Sequence, residues 1–167
     1  LGIAARTLNA ATQKVGINLY PTSLGITQPD THILGETYYT SAALRYGDYI
    51  AKLSLVPLSA SLQPLIGKRV EIQNSSTLRD LIVAFFRKQS AEYELRVQLC
   101  TNLETMPIED TSVRWSEQDS SYQAIARIMI GMQEAYSPAR QVYVDEVLSF
   151  SPWHTIAEHQ PLGAIQR

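Results

Sequence analysis

Ala91-Glu-Tyr-Glu-Leu-Arg-Val-Gln-Leu-Cys-Thr101 alternates without a fault. Tyr93, Leu95, Val97 and Leu99 fall on one side of an extended backbone, and Glu92, Glu94, Arg96 and Gln98 on the other. Successive side chains of a strand point to opposite faces, so a period of two predicts a strand with one buried and one polar face. The rhythm recurs on both sides of this stretch. Residues 122–131 put Tyr122, Ala124, Ala126, Ile128 and Ile130 in phase. Residues 45–57 put Gly47, Tyr49, Ala51, Leu53 and Leu55 on one face against Asp48, Lys52 and Ser54. Pro57 has no N–H to give a ladder and ends that strand. Shorter strands are predicted over residues 35–42, 68–73 and 111–115, the first for its β-branched and aromatic run.

One stretch changes period. Leu78, Leu81, Ile82, Phe85 and Phe86 stand at i, i+3, i+4, i+7 and i+8, behind an Asn74-Ser-Ser-Thr77 segment with N-cap chemistry. Arg79, Asp80, Arg87 and Lys88 hold the wet side, so this is a helix that covers a sheet. A second helix is predicted over residues 1–17, from Leu1, Ala4, Ala5, Leu8, Ala11 and Val15 at roughly helical spacing, ended by Gly16. Residues 18–34, with Pro21, Gly25, Pro29 and Asp30, read as a connecting arm. His32 lies in it and reads as a solvated loop residue. Residues 138–148 fit a short amphipathic helix or a final strand equally well.

No βαβ rhythm appears, which argues against a parallel sheet. The expected class is α+β: an antiparallel, partly closed β-barrel with covering helices. Four or five strands do not close a barrel wide enough for a ligand, for which about eight are needed. Residues 1–167 are therefore expected to be a single domain, incomplete at both ends. Within it, residues 1–34 are helix and arm, 35–150 barrel strands and covering helix, and 151–167 a trailing arm. The start at Leu1 and the stop at Arg167 both read as cuts.

The bulk numbers exclude several classes. With 45% apolar residues and a net charge of −2, the chain has no basic excess to neutralise phosphates, so nucleic acid is not an expected partner. No apolar run approaches the roughly 20 residues of a membrane span. Cys100 is the only cysteine, which rules out an internal disulfide. A soluble, cytoplasmic protein is the expectation.

Residues 147–167, which include the trailing arm, carry Phe150, Trp153, His154, Ile156 and His159 with no period of their own. Apolar surface left wet costs about 25 cal/mol per Å², so the arm is expected to lie across the domain body or a large apolar ligand. His154-Thr-Ile-Ala-Glu-His159 is not a zinc helix: its histidines are five apart, about 140° around a helix, where the inverted zinc motif has them four apart. Glu109-Asp110 and Asp145-Glu146 are adjacent pairs that face different ways. Phosphate loops, paired cysteines and Gly-x-Ser-x-Gly do not occur.

A set of longer motifs resembles one family. Asp110-Thr-Ser-Val-Arg-Trp115, Tyr122-Gln-Ala-Ile-Ala-Arg-Ile-Met-Ile130 and Tyr143-Val-Asp-Glu-Val-Leu-Ser-Phe-Ser-Pro152 follow the order found in haem catalases. Four further segments look like the small bacterial catalase-family proteins. They are Gly35-Glu-Thr-Tyr-Tyr39, Arg45-Tyr-Gly-Asp-Tyr-Ile-Ala51, Val97-Gln-Leu-Cys-Thr-Asn-Leu-Glu-Thr-Met-Pro-Ile-Glu-Asp110 and Glu158-His-Gln-Pro-Leu-Gly163. The likeness runs from about His32 to Arg167 and places the chain in the C-terminal half of such a protein.

The resemblance implies a haem-binding oxidoreductase acting on hydrogen peroxide or organic hydroperoxides. In that family a distal His, helped by Asn, shuttles a proton between the peroxide oxygens. A Tyr phenolate holds the iron, kept ionised by a nearby Arg. This chain departs from the pattern at both places. His32 does not match the distal histidine strand, and no tyrosine follows Tyr143. No catalytic residue and no metal ligand is therefore assigned here. The resemblance leaves Phe150, matching the Phe of Phe-x-Pro, as a candidate for porphyrin contact, and His154, His159 and Arg167 as candidates for its propionates. The alternative expectation is a non-catalytic barrel for an apolar ligand, or a haem-free structural remnant of the family.

Overall fold

A computed structural model describes residues 29–164. The helix expected over residues 1–17 and Arg167 lie outside the described residues. From Thr31 onward the chain forms one compact unit. Its elements are β1 (Tyr38–Tyr39), β2 (Leu44–Tyr46), β3 (Tyr49–Pro57), α1 (Thr77–Phe86), β4 (Ala91–Leu99), β5 (Gln123–Ile130) and α2 (Pro138–Glu146). No described helix is long and apolar enough to cross a membrane.

The alternating stretch quoted first becomes the central strand. Every pairing is antiparallel, in the order β1-β3-β4-β5, with β2 also on β3. The described pairings form an open path. Leu53 stands opposite Val97, Leu55 opposite Leu95, and Tyr93 opposite Ile128. Between Leu95 and Arg96 the register slips, because Leu95 faces Ala126 while Arg96 faces Ala124. Ile125 is the extra residue of that bulge.

Both faces of β3 and β4 are covered, where the sequence predicts one buried and one polar, while β5 is exposed along most of its length. On the expected face, Leu62, Phe86, Ala91 and Tyr93 are buried together, with Leu34, Leu55, Ile82 and Phe85 packed against them. Helix α1 therefore lies on the sheet as its apolar stripe requires. The opposite face of β3 and β4 is buried as well: Lys52 is 8% exposed, Ser54 3% and Gln98 1%. The chain after β4 folds back over it, bringing Met106 and Trp115 against Ala43, with Ile50, Cys100 and Ile108 alongside.

The buried polar groups of this second layer are satisfied. Gln98 Nε2 donates to the Ser120 carbonyl at 2.8 Å and lies 3.4 Å from the carbonyls of Trp115 and Ser116. Lys52, opposite Gln98 in register, donates to the Val113 carbonyl at 3.4 Å, with its ammonium 4.8 Å from the centre of the Trp115 ring. Burial holds the Lys52 amine below its ordinary range, and the Asp110 charge works the other way. Alternation reveals which residues share a side, but not what later covers it.

Other departures have local causes. The expected strand over 45–57 breaks at Gly47, whose φ of 62° opens a two-residue turn between Tyr46 and Tyr49. A glycine at the first central position is what a type II′ hairpin turn requires. The strand over 35–42 shrinks to Tyr38–Tyr39, because Ile33–Gly35 is a 3-10 turn. Residues 68–73 supply a single bridge, Arg69 to Thr31. Residues 111–115 are not a strand, since Asp110 Oδ1 accepts from the Ser112 N–H at 2.9 Å and its hydroxyl at 2.6 Å, closing a turn. Of residues 138–148, Pro138–Glu146 form a helix, with the Ser137 hydroxyl capping Arg140 N–H at 3.2 Å and Pro138 in the first turn. His32, expected in solvent, is buried at 4% exposure.

Candidate functional site

The β2–β3 hairpin and the trailing arm build one site together. Arg45 N–H donates to the Gln160 carbonyl at 3.0 Å, and Gly47 N–H to the Glu158 carbonyl at 2.9 Å. Leu44 bridges Pro161. The arm thus runs beside β2 like a further strand. Side chains reinforce it: Arg45 Nη1 donates to the Ala157 carbonyl at 3.3 Å, Arg45 Nε to the Gly47 carbonyl at 2.8 Å, and the His159 ring packs on Tyr46 at 5.7 Å.

Between these segments lies an open cavity of about 450 Å³, walled by Arg45, Asp48, Ile50, Ile108, Glu109 and Leu162 among others. Its charged walls are largely engaged. The Arg45 guanidinium is held by two carbonyls, and both Glu109 oxygens accept from Ala164 N–H, at 2.9 and 3.0 Å. The arrangement anchors a loop and offers a shallow apolar floor. It presents no base beside a nucleophile. Among the described residues no cluster of three His, Cys, Asp or Glu is placed to hold a metal ion.

Of the residues singled out in the sequence, His159 comes to the hairpin, its Nδ1 3.4 Å from the Arg45 carbonyl, Phe150 and His154 are exposed, and Arg167 lies outside the described residues. Phe150 is 87% exposed, and Trp153 and Ile156 are also open to solvent. His154 is exposed on the same arm, its N–H donating to the Ser151 carbonyl at 3.0 Å. Among its described residues the arm lies against the domain at 157–164. Arg45, Asp48 and Glu109 were not singled out as site residues. The available signal was Gly47-Asp48 between two tyrosines, a hairpin dipeptide inside a strand-like run.

The chain superimposes on solved catalases. One is a fungal catalase, with a TM-score of 0.57 and 14% identity over 84% of this chain and 29% of that one. Another is catalase A from Saccharomyces cerevisiae, with a TM-score of 0.56 and 10% identity over 81% of this chain and 29% of that one. The fold is catalase-like. The chain spans about three tenths of the length of these catalases. No protein-family model and no curated protein matches it.

A catalase-like fold raises the question of haem, and Tyr38, Tyr93 and Tyr122 do not fit the role of an iron-ligating phenolate. A ligating phenol must be held ionised. Here burial does the reverse: it pushes the phenol of Tyr93 up to about 12, with the Tyr38 phenol adding to it, and raises those of Tyr38 and Tyr122. The Tyr93 hydroxyl donates a hydrogen bond to the Leu34 carbonyl at 2.9 Å.

The raised Tyr93 value has a consequence for stability. Its folded pKa lies above the unfolded 10.0, so the contribution is complete below about pH 10 and is lost as pH climbs toward about 12. Two units correspond to about 3 kcal/mol. Urea unfolding followed from about pH 9 to about pH 12 should show that alkaline loss. Tyr93→Phe should flatten it, and an unchanged alkaline limb in the variant would refute the assignment.

Proposed function

We propose that this chain is part of a haem-dependent oxidoreductase of the catalase family, most like the small bacterial members, acting on hydrogen peroxide or an organic hydroperoxide. What supports this most is the superposition of 84% of the chain on a fungal catalase. The meeting of two separate motifs adds to it: the Arg45–Ala51 segment and the Glu158–Gly163 segment pair directly. In this reading the sheet is one part of a barrel wall, and residues 151–167 form the haem-side arm. The exposed ring of Phe150 packs toward the porphyrin, with His154, His159 and Arg167 near its propionates. The iron ligand and the group that moves the peroxide proton come from other residues.

A second reading is favoured by the raised phenols and the bare arm: a barrel that binds an apolar ligand without catalysis, or a haem-free remnant. Haemin titration of the whole natural polypeptide separates the two. The first reading expects a saturable Soret band, oxygen release on adding peroxide, and weaker haemin uptake in Phe150→Asp. A protein that takes up no haemin supports the second.

A further inference from the structure

We propose that His32 is an acid-sensitive latch fastening residues 31–36 to the domain core. The segment lies against two others through backbone bonds: His32 N–H donates to the Lys68 carbonyl at 2.8 Å, and Thr31 bridges Arg69. Two tyrosines pull on it from the sheet side. Tyr38 donates to the Ile33 carbonyl at 2.5 Å and Tyr93 to the Leu34 carbonyl at 2.9 Å. His32 sits at the head of the 3-10 turn Ile33–Gly35, and its Nδ1 accepts the Leu34 N–H at 3.3 Å.

That last bond fixes the protonation state. An N–H cannot donate to a nitrogen that already carries a proton, so the buried ring is the neutral tautomer with its hydrogen on Nε2. Adding a proton at Nδ1 turns the cap into a collision of two donors, and it buries a cation. Of the charged neighbours, Lys68 opposes the added proton, Arg69 follows it on the paired segment, and the Glu36 carboxylate on the strap itself, which would favour a cation, is engaged by the Thr31 hydroxyl. Burial first and the Lys68 charge second hold the ring below its ordinary range, while a bond to its own backbone opposes them. A depressed folded value means the closure is complete above about pH 6.5 and weakens as pH falls below it.

Opening removes the carbonyl that Tyr93 donates to and lifts Leu34 off the core it packs against. The device is local, since β4 and β5 hold one another by their own ladder.

Amide exchange read by mass spectrometry, corrected for the intrinsic effect of pH, tests this. Between about pH 7.5 and about pH 5, protection over residues 31–36 should fall about tenfold, with residues 91–99 unchanged. His32→Asn keeps an acceptor near Nδ1 and cannot be protonated there, so its protection should not respond to pH. Lys68→Gln, which removes the cation that acts on the ring, should shrink the wild-type response without abolishing it. Constant protection in the wild type overturns the proposal, as does an equal acid loss in His32→Asn. Should that variant not fold, an NMR titration of wild-type His32 decides: a pKa at or above 6.5 overturns the latch, and a lower one supports it.

Discussion

Replacing Gly35 by alanine should cost at least about 3 kcal/mol of stability, at the upper end of what overpacking does. A Cβ at this buried position would overlap the carbonyl of Leu65 and stand 2.8 Å from the Ile66 nitrogen. The obstacle is backbone, and backbone that is pinned. Leu65 N–H donates to the Leu62 carbonyl at 2.9 Å, and the Leu65 carbonyl accepts from Lys68 N–H at 3.1 Å. Gly35 cannot retreat either, because its N–H donates to the His32 carbonyl at 2.8 Å and its neighbour Leu34 is held by Tyr93. Two turns therefore meet at a distance only hydrogen allows. Gly131 is the control, since a Cβ there meets nothing within 4 Å, and alanine should move stability by no more than about 0.5 kcal/mol. Urea melts of both variants, compared at equal m, read the difference directly. A cost below about 1 kcal/mol for Gly35→Ala would mean the two turns do not approach as described.

The same contact explains part of what was legible in the sequence. Strand β4, strand β5 and helix α1 follow from periodicity, because each has a regular pattern and packs against a regular neighbour. The short pieces between them do not. Gly35 closes a turn against a segment thirty residues on, and Asp110 closes one with its own side chain. A local run of β-branched or aromatic residues cannot reveal either. His32 was misplaced for the same reason. Its segment is pinned by backbone bonds to Lys68 and Arg69, which lie far along the chain. Whether the sheet closes into the expected barrel is a matter of which edges pair, and the described pairings give an open path.

The candidate site was legible as segments and not as side chains. The Arg45-Tyr-Gly-Asp-Tyr and Glu158-His-Gln-Pro-Leu-Gly segments stand out in the sequence, and they meet in space. Their importance lies in backbone carbonyls and N–H groups, which carry no residue signature. The resemblance pointed to side chains as well: His159 meets the hairpin, while Phe150 and His154 are exposed.

Trp115→Ala should destabilise by about 3–5 kcal/mol, the usual cost of emptying a buried aromatic site. The ring is the keystone of the layer that covers the polar face of β3 and β4. It is buried with Met106 and Ala43, and its Nε1 donates to the Pro107 carbonyl at 3.4 Å. It also lies under the Lys52 ammonium, so its loss removes both packing and the cation's partner. A desolvated cation on a tryptophan face is worth up to about 2 kcal/mol. The two contributions separate in a cycle with Lys52→Met, which fills a similar volume without charge. If the ring holds the cation, the two single costs should exceed the double cost by about 1–2 kcal/mol. Trp115→Phe, which keeps a ring but loses the N–H, should fall well below alanine. Equal costs for the two variants would mean that the contacts specific to the indole, and not buried ring area, hold the site. A cost under about 1 kcal/mol for Trp115→Ala would mean the second face is not a core at all.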